Sequence, residues 1–140
     1  APPGGVPLAR LEDLAGPAVR RVAVGKPATV PVGRYTREAL DRARLWAAVE
    51  PRVVPADSVR QVLDYVARGE VDAGFVYRTD AELMADKVRV VATVGGHAPV
   101  TYPVAVVRDS RQPALARAFV EFLAGAEAQA VLARHGFSRP

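Results

Sequence analysis

Apolar residues recur at helical spacing over Val59, Val62, Leu63 and Val66, then close up into a nearly continuous run from Val71 to Tyr77. The first pattern is that of an amphipathic helix, with Asp57 or Ser58 as N-cap and Gly69 as its stop. The second, in which Ala73, Phe75 and Val76 lead to Tyr77, predicts a strand covered on both faces, as in a parallel sheet. A helix feeding a buried strand is half of a βαβ unit, and the alternation extends upstream. Arg21 to Val24 predicts a short strand closed by Gly25, and KPATVPVG from Lys26 to Gly33 a loop. Tyr35 to Arg44 predicts a helix with Ala39, Leu40 and Ala43 inward, its end covered by Leu45-Trp46, and Val53-Val54 a second strand. The order β-α-β-α-β from Arg21 to Tyr77 predicts an α/β fold, an open and mainly parallel sheet flanked by helices and joined by right-handed crossovers.

Residues 1–10, rich in Pro and Gly, read as a poorly ordered N-terminal arm, and residues 11–140 as a single α/β lobe. Leu11 to Ala15 can make one helical turn. Beyond Tyr77 the pattern predicts a short helix over Thr79 to Ala85 and strands over Val88 to Val94 and Tyr102 to Val107. Pro103 cannot donate to a ladder and favours an edge or the end of the strand there. Pro113 to Ala124, with Leu115, Phe119, Phe122 and Leu123 on one stripe, and Glu127 to Arg134 predict two closing helices, the last ended by His135-Gly136.

Composition narrows the function. A chain of 140 residues, half of them hydrophobic, can bury one core. The net charge of +4 is spread among acids, as in Arg37-Glu38 and Asp41-Arg42, which is a mixed solvated surface and not a nucleic-acid stripe. The absence of cysteine excludes disulfides and thiolate metal sites. No run has the length of a membrane span, and the start APPGGVPLAR lacks the basic and apolar regions of a signal peptide, so a mature, cut or cytosolic start is expected.

Catalytic patterns are weak. GxSxG, the P-loop and GxGxxG do not occur, and His97 and His135 have no HExxH spacing, reading as a loop residue and a helix-end residue. Asp72 and Asp80 flank the Tyr77 strand and could do acid/base work, but solvation of Asp72 and a capping role for Asp80 explain them better. An anion site has more behind it. Val32 and Val59 each fall in a helix first turn that follows a strand of the same sheet. Such amides lack intrahelical partners and sit in the positive end of the helix dipole, and the Tyr77 hydroxyl adds a neutral donor. On spacing alone, hydrated first-turn amides and a strand-end aromatic over the core remain the better reading.

The segments VAVGKPATVPVGRYTREAL, ADSVRQVLDYVARGEVDAGFVY, VRVVATV, YPVAVVRDS and ARAFVEFLAGAEAQAVLARHGF, in this order, resemble the periplasmic molybdate-binding protein of ABC importers. The likeness runs from about Leu11 to Phe137. It implies one lobe of a type II periplasmic-binding-protein fold, a binding module and not an enzyme, with no cofactor and a tetrahedral oxyanion, molybdate or tungstate, as ligand. Val30-Pro31-Val32-Gly33 matches the V-P-A-G segment that gives one backbone amide. Val59 matches the valine that gives another, and Tyr77 the tyrosine that gives a hydroxyl. Val32 stands where alanine is common, a change that leaves the backbone donor intact.

The resemblance further implies an ABC permease as partner, no nucleic acid, and a periplasmic or cell-surface location. The family's first lobe, with its serine contacts, would precede Leu11-Glu12-Asp13-Leu14. The expectation is therefore a truncated or excised lobe, or one whose other half is a separate chain. Such a lobe carries part of a site and binds weakly or not at all alone. It would leave Phe119, Leu123, Val131 and Leu132 uncovered and able to form a homo-oligomer. Two rivals remain, a ligand-free folding or assembly module and the effector lobe of a transcriptional regulator. The second needs a helix-turn-helix that this sequence lacks.

Overall fold

Every residue of β1 (Val22–Gly25) is buried, because this strand lies in the middle of the sheet. In the computed structural model, which describes residues 1–138, β1 is flanked by β2 (Val53–Ala56) and β3 (Ala73–Gly74) in the order β2-β1-β3. Both pairings are parallel, with Val22 opposite Val53 and Ala73, and Gly25 opposite Ala56. This is the α/β architecture that the alternating pattern predicts.

The period-2 alternation of β1 divides the core into two layers. Val22 and Val24 pack with Leu40, Trp46 and Val49, from α1 (Pro31–Arg42) and α2 (Trp46–Val49). Ala23 packs with Val62, Leu63 and Val66 from α3 (Val59–Ala67). The small residue at position 23 lets α3 approach closely. Gly74 does the same on β3, where a Cβ would lie 2.7 Å from Val66 and 2.8 Å from Val62.

Helix boundaries follow local chemistry. α1 starts at Pro31, earlier than the apolar stripe from Tyr35 suggests, because proline at the first position has its φ preset and no N–H to leave unpaired. Ser58, not Asp57, is the N-cap of α3, its Oγ accepting from the Gln61 amide at 3.1 Å. Gly69, at φ +67°, reverses the chain after α3. The helix expected over Thr79 to Ala85 is the shorter α4 (Arg78–Glu82).

Three expectations need correction. Val88 to Val94 and Tyr102 to Val107 are not strands, despite their β-branched composition. A strand requires a ladder partner, and among the described residues no strand pairs with either segment. Val90, Val104 and Val107 are exposed, and among the described residues the Arg89 backbone exchanges hydrogen bonds only with Ala1, at 2.7 and 2.9 Å. The strand expected over Val71 to Tyr77 has only two ladder residues, although Asp72 N–H to Arg21 O (2.9 Å) and Phe75 N–H to Ala23 O (3.2 Å) prolong its contact with the β1 segment. Residues 1–10 are not a free arm. Leu8 is buried with Leu14 and Val19, since the prolines and glycines around it prevent regular structure but not the docking of one leucine.

The chain divides into two compact units, Ala1–Ala98 and Pro99–Pro140. The first holds the sheet, α1 to α4, and a 3₁₀ turn at Leu11–Ala15 where one helical turn is expected. In the second, α5 (Pro113–Ala124) and α6 (Ala126–Arg134) pack on each other, and Tyr102 meets Phe137 edge-on at 5.5 Å. Leu115, Phe119 and Phe122 of α5 and Val131 of α6 are exposed, whereas Leu123 and Leu132, expected to be uncovered, are half-buried. Among the described residues no helix is long and apolar enough to cross a membrane.

Candidate functional site

Because the strands are parallel, their carboxyl ends share one edge of the sheet, and each leads into a connection that opens a helix. Ligands of open α/β sheets bind at this edge. Val32, Val59 and Tyr77 are all delivered there, one by each strand. Extended past the last paired residues, the two registers put Lys26, Asp57 and Tyr77 on a single row.

The connection after β1 is a tight turn. The Lys26 amide donates to Ala56 O at 2.9 Å, prolonging the ladder, and Lys26 O accepts from Thr29 N–H at 3.1 Å and Val30 N–H at 2.8 Å. Val30, extended at φ −113° and ψ 117°, caps α1 with no side-chain acceptor. Its carbonyl takes the Gly33 amide at 2.9 Å and the Arg34 amide at 3.3 Å. Pro31 has no N–H, and so the Val32 amide is the one first-turn donor of α1 with no acceptor among the described residues. Val32 is only 5% exposed. Gly33 makes this arrangement possible, since a Cβ there would lie 1.8 Å from Gly25 O. The helix start is pressed directly on the end of the central strand.

The connection after β2 is shorter still. Gln61 Oε1 accepts from the Asp57 amide at 2.6 Å, Gln61 Nε2 donates to Tyr65 Oη at 2.9 Å, and Ser58 O accepts from Val62 N–H at 3.2 Å. The Gln61 and Val62 amides are thus engaged. Those of Val59 and of Arg60, which the sequence pattern did not single out, have no acceptor among the described residues. After β3, Tyr77 is half-buried at the N-cap of α4, its amide donating to Asp80 Oδ2 at 3.2 Å and its carbonyl accepting from the Asp80 and Ala81 amides.

The carboxylate pair considered for acid/base work does not assemble. Asp80 follows β3, whereas Asp72 precedes it, where Asp72 Oδ2 accepts from the Arg20 amide at 2.7 Å and the Arg21 amide at 2.9 Å. Asp72 is a backbone anchor and not merely a solvated residue. The ring nitrogens of His97 lie 3.1 Å from Val94 O and 2.7 Å from Ala98 O, and His135 is the C-cap of α6. Among the described residues no group of three or more His, Asp or Glu could hold a metal ion.

Sequence reasoning missed a contact at the candidate rim. Lys26 Nζ donates to Asp57 Oδ1 at 2.5 Å, joining the residue after β1 to the residue after β2. Opposite charges just past two successive predicted strands are the only signal that could have found it, and the pairing becomes visible once the strand register is known.

The family described as bacterial extracellular solute-binding protein matches the chain over residues 1–138. Among individual proteins, the Bacillus subtilis protein named "Putative ABC transporter substrate-binding lipoprotein YvgL" is 39% identical over 137 residues, covering 96% of this chain and 52% of its own. The molybdate-binding protein ModA of Escherichia coli is 41% identical over 120 residues, covering 84% of this chain and 46% of its own. A solved structure, titled "substrate binding domain of putative molybdenum ABC transporter from Clostridium difficile", superposes with a TM-score of 0.87 at 33% identity, covering 95% of this chain and 58% of that one. The chain spans about half the length of the curated relatives it matches.

Proposed function

This chain belongs to the bacterial extracellular solute-binding protein family, and from that membership we propose that it binds a tetrahedral oxyanion, molybdate or tungstate, for an ABC importer. The family's work is capture of a solute and not catalysis. The observation that carries the proposal is the pair of amides, Val32 and Val59, which have no acceptor among the described residues and follow adjacent parallel strands at one sheet edge. An oxyanion is the natural occupant. Helix N-termini offer it N–H donors and partial positive charge without reorganisation. The Tyr77 hydroxyl is the third donor in this reading. The likeness to proteins named for molybdate or molybdenum gives the reading its ligand.

Neutral donors select by size and geometry more than by charge, so molybdate and tungstate should compete closely and sulfate should bind less well. Two amides and one hydroxyl leave most lone pairs of a tetrahedral dianion to water. Binding by this chain alone is therefore weak and sensitive to ionic strength. The permease of an ABC importer is the proposed partner, and the space outside the cytoplasmic membrane, periplasmic or at the cell surface, the proposed location.

Calorimetric titration of the chain with molybdate, tungstate and sulfate tests this, with amide NMR spectra recorded alongside. Molybdate is expected to shift the Val32 and Val59 resonances. Tyr77→Phe should weaken binding by roughly ten- to a hundredfold, the loss of one hydrogen bond to a charged group. Shifts confined to other residues, or a Tyr77→Phe protein that binds as well as the parent, would sink the assignment of these donors.

A further inference from the structure

We infer that Lys26 and Asp57 are positioning residues of the proposed anion site, their ion pair fixing the connection that presents Val32 against the one that presents Val59. The inference rests on the reading of that site given above. Three other observations lead to it.

The first is place. The pair joins residues 31 positions apart, each immediately following one of two adjacent parallel strands. The other ion pairs of 2.9 Å or shorter among the described residues, Arg37–Asp41 and Arg78–Glu82, lie within single helices and tie nothing distant together.

The second is that each partner is itself bound to the turn it controls. Lys26 O accepts from the Val30 amide at 2.8 Å, two residues before Val32. The Asp57 amide donates to Gln61 Oε1 at 2.6 Å, and the Gln61 amide in turn donates to Ser58 Oγ at 3.1 Å, which encloses Val59. Polar links thus run without a break from the start of α1 through Lys26 and Asp57 to the start of α3.

The third is electrostatic. A lysine on the central row, unpaired, would be a mobile cation beside the donors, able to attract any anion. Held by Asp57, its charge is balanced, and the Val32 and Val59 amides beside it are neutral donors at fixed positions. The ion pair is half-exposed on the lysine side and more so on the aspartate side. Pairs of that kind contribute little to global stability, so the consequence of losing it belongs to the site and not to the fold.

The experiment compares the parent chain with Lys26→Met, Asp57→Asn and the charge-reversed double variant Lys26→Asp/Asp57→Lys. Molybdate affinity, melting temperature and the ligand-free amide NMR spectrum are measured for each. Each single variant should bind about tenfold more weakly, the double should recover most of that loss, and melting temperatures should stay close to the parent's. Without ligand, Lys26→Met should displace the Val59 amide resonance and Asp57→Asn that of Val32, a cross-effect that purely local disturbance does not produce.

Tighter binding by Asp57→Asn would overturn the inference and make Lys26 a direct anion contact. Unchanged affinity in both single variants, or a double variant no better than either, would overturn it as well. If the parent chain gives no molybdate response, the site reading itself fails. The ligand-free cross-effect then still decides whether the ion pair sets the two turns.

Discussion

Gly33→Ala is the sharpest test of how this fold builds its rim. The added methyl carbon would sit 1.8 Å from Gly25 O and 3.1 Å from the carbonyl carbon of Lys26. Real Cβ atoms do not approach closer than about 3.0 Å, so the start of α1 must retreat from β1 by at least about 1.2 Å. The strand cannot yield instead, because Gly25 is buried and paired with Ala56 at the end of the central strand. Overpacking of this kind costs roughly 1 to 3 kcal/mol of stability. A shift of that size also takes the Val32 amide beyond hydrogen-bond range of an oxygen held by the other donors, a further loss of about 1.5 to 3 kcal/mol in binding. In affinity that is roughly ten- to a hundredfold. Thermal melts and molybdate calorimetry read the two effects separately. Gly69→Ala is the control. It strains a residue at φ +67° with nothing near its Cβ, after the far end of α3, and should lower the melting temperature while leaving affinity unchanged. A Gly33→Ala protein with parental melting temperature and parental affinity would refute the close-packing argument altogether.

Two further outcomes are expected. Asp13 accepts from the Ala9 and Arg10 amides at 2.8 and 3.0 Å, and these backbone donors hold its carboxyl below the ordinary carboxylate range. A depressed value stabilises the fold above the unfolded-state pKa, and that contribution is lost as pH falls through the folded one. The urea midpoint of the parent should therefore exceed that of Asp13→Asn at pH 6, and the gap should narrow as pH falls below the ordinary carboxylate range; a gap that does not change with pH would contradict this. The exposed Leu115, Phe119 and Phe122 of α5 should drive self-association, read by light scattering across a concentration series, and a strict monomer at high concentration would argue against it.

What could be seen in the sequence was what depends on neighbours along the chain. α5 occupies Pro113–Ala124, the bounds its Pro-first, Gly-last pattern predicts, and α3 follows its stripe and its serine cap. The location of the Val59 amide was also legible, because unpaired donors at a helix start follow from backbone geometry whatever the side chain, whereas the apolar stripe alone placed Val32 in the loop before a helix that in fact begins at Pro31. What could not be seen depends on partners far away. Val88 to Val94 has the composition of a strand, but composition supplies no second strand to bond to. Asp72 read as solvated because the amides it accepts from, Arg20 and Arg21, lie 52 and 51 positions upstream. The Lys26–Asp57 pair stayed hidden for the same reason, since only the register of β1 on β2 brings those charges together.

Among the described residues the order β2-β1-β3 leaves the sheet two unpaired edges, and an unpaired edge invites a strand from any other chain. Here both are poor templates. β2 carries Pro55, which removes a donor from its row, and β3 offers only two ladder residues, a short template for an added strand. A sheet that ends this abruptly resists growth by strand addition. Its brevity is thus a safeguard against polymerisation, and any assembly the chain undergoes is steered towards its helical surface, where contacts are reversible, and away from the irreversible stacking of backbones.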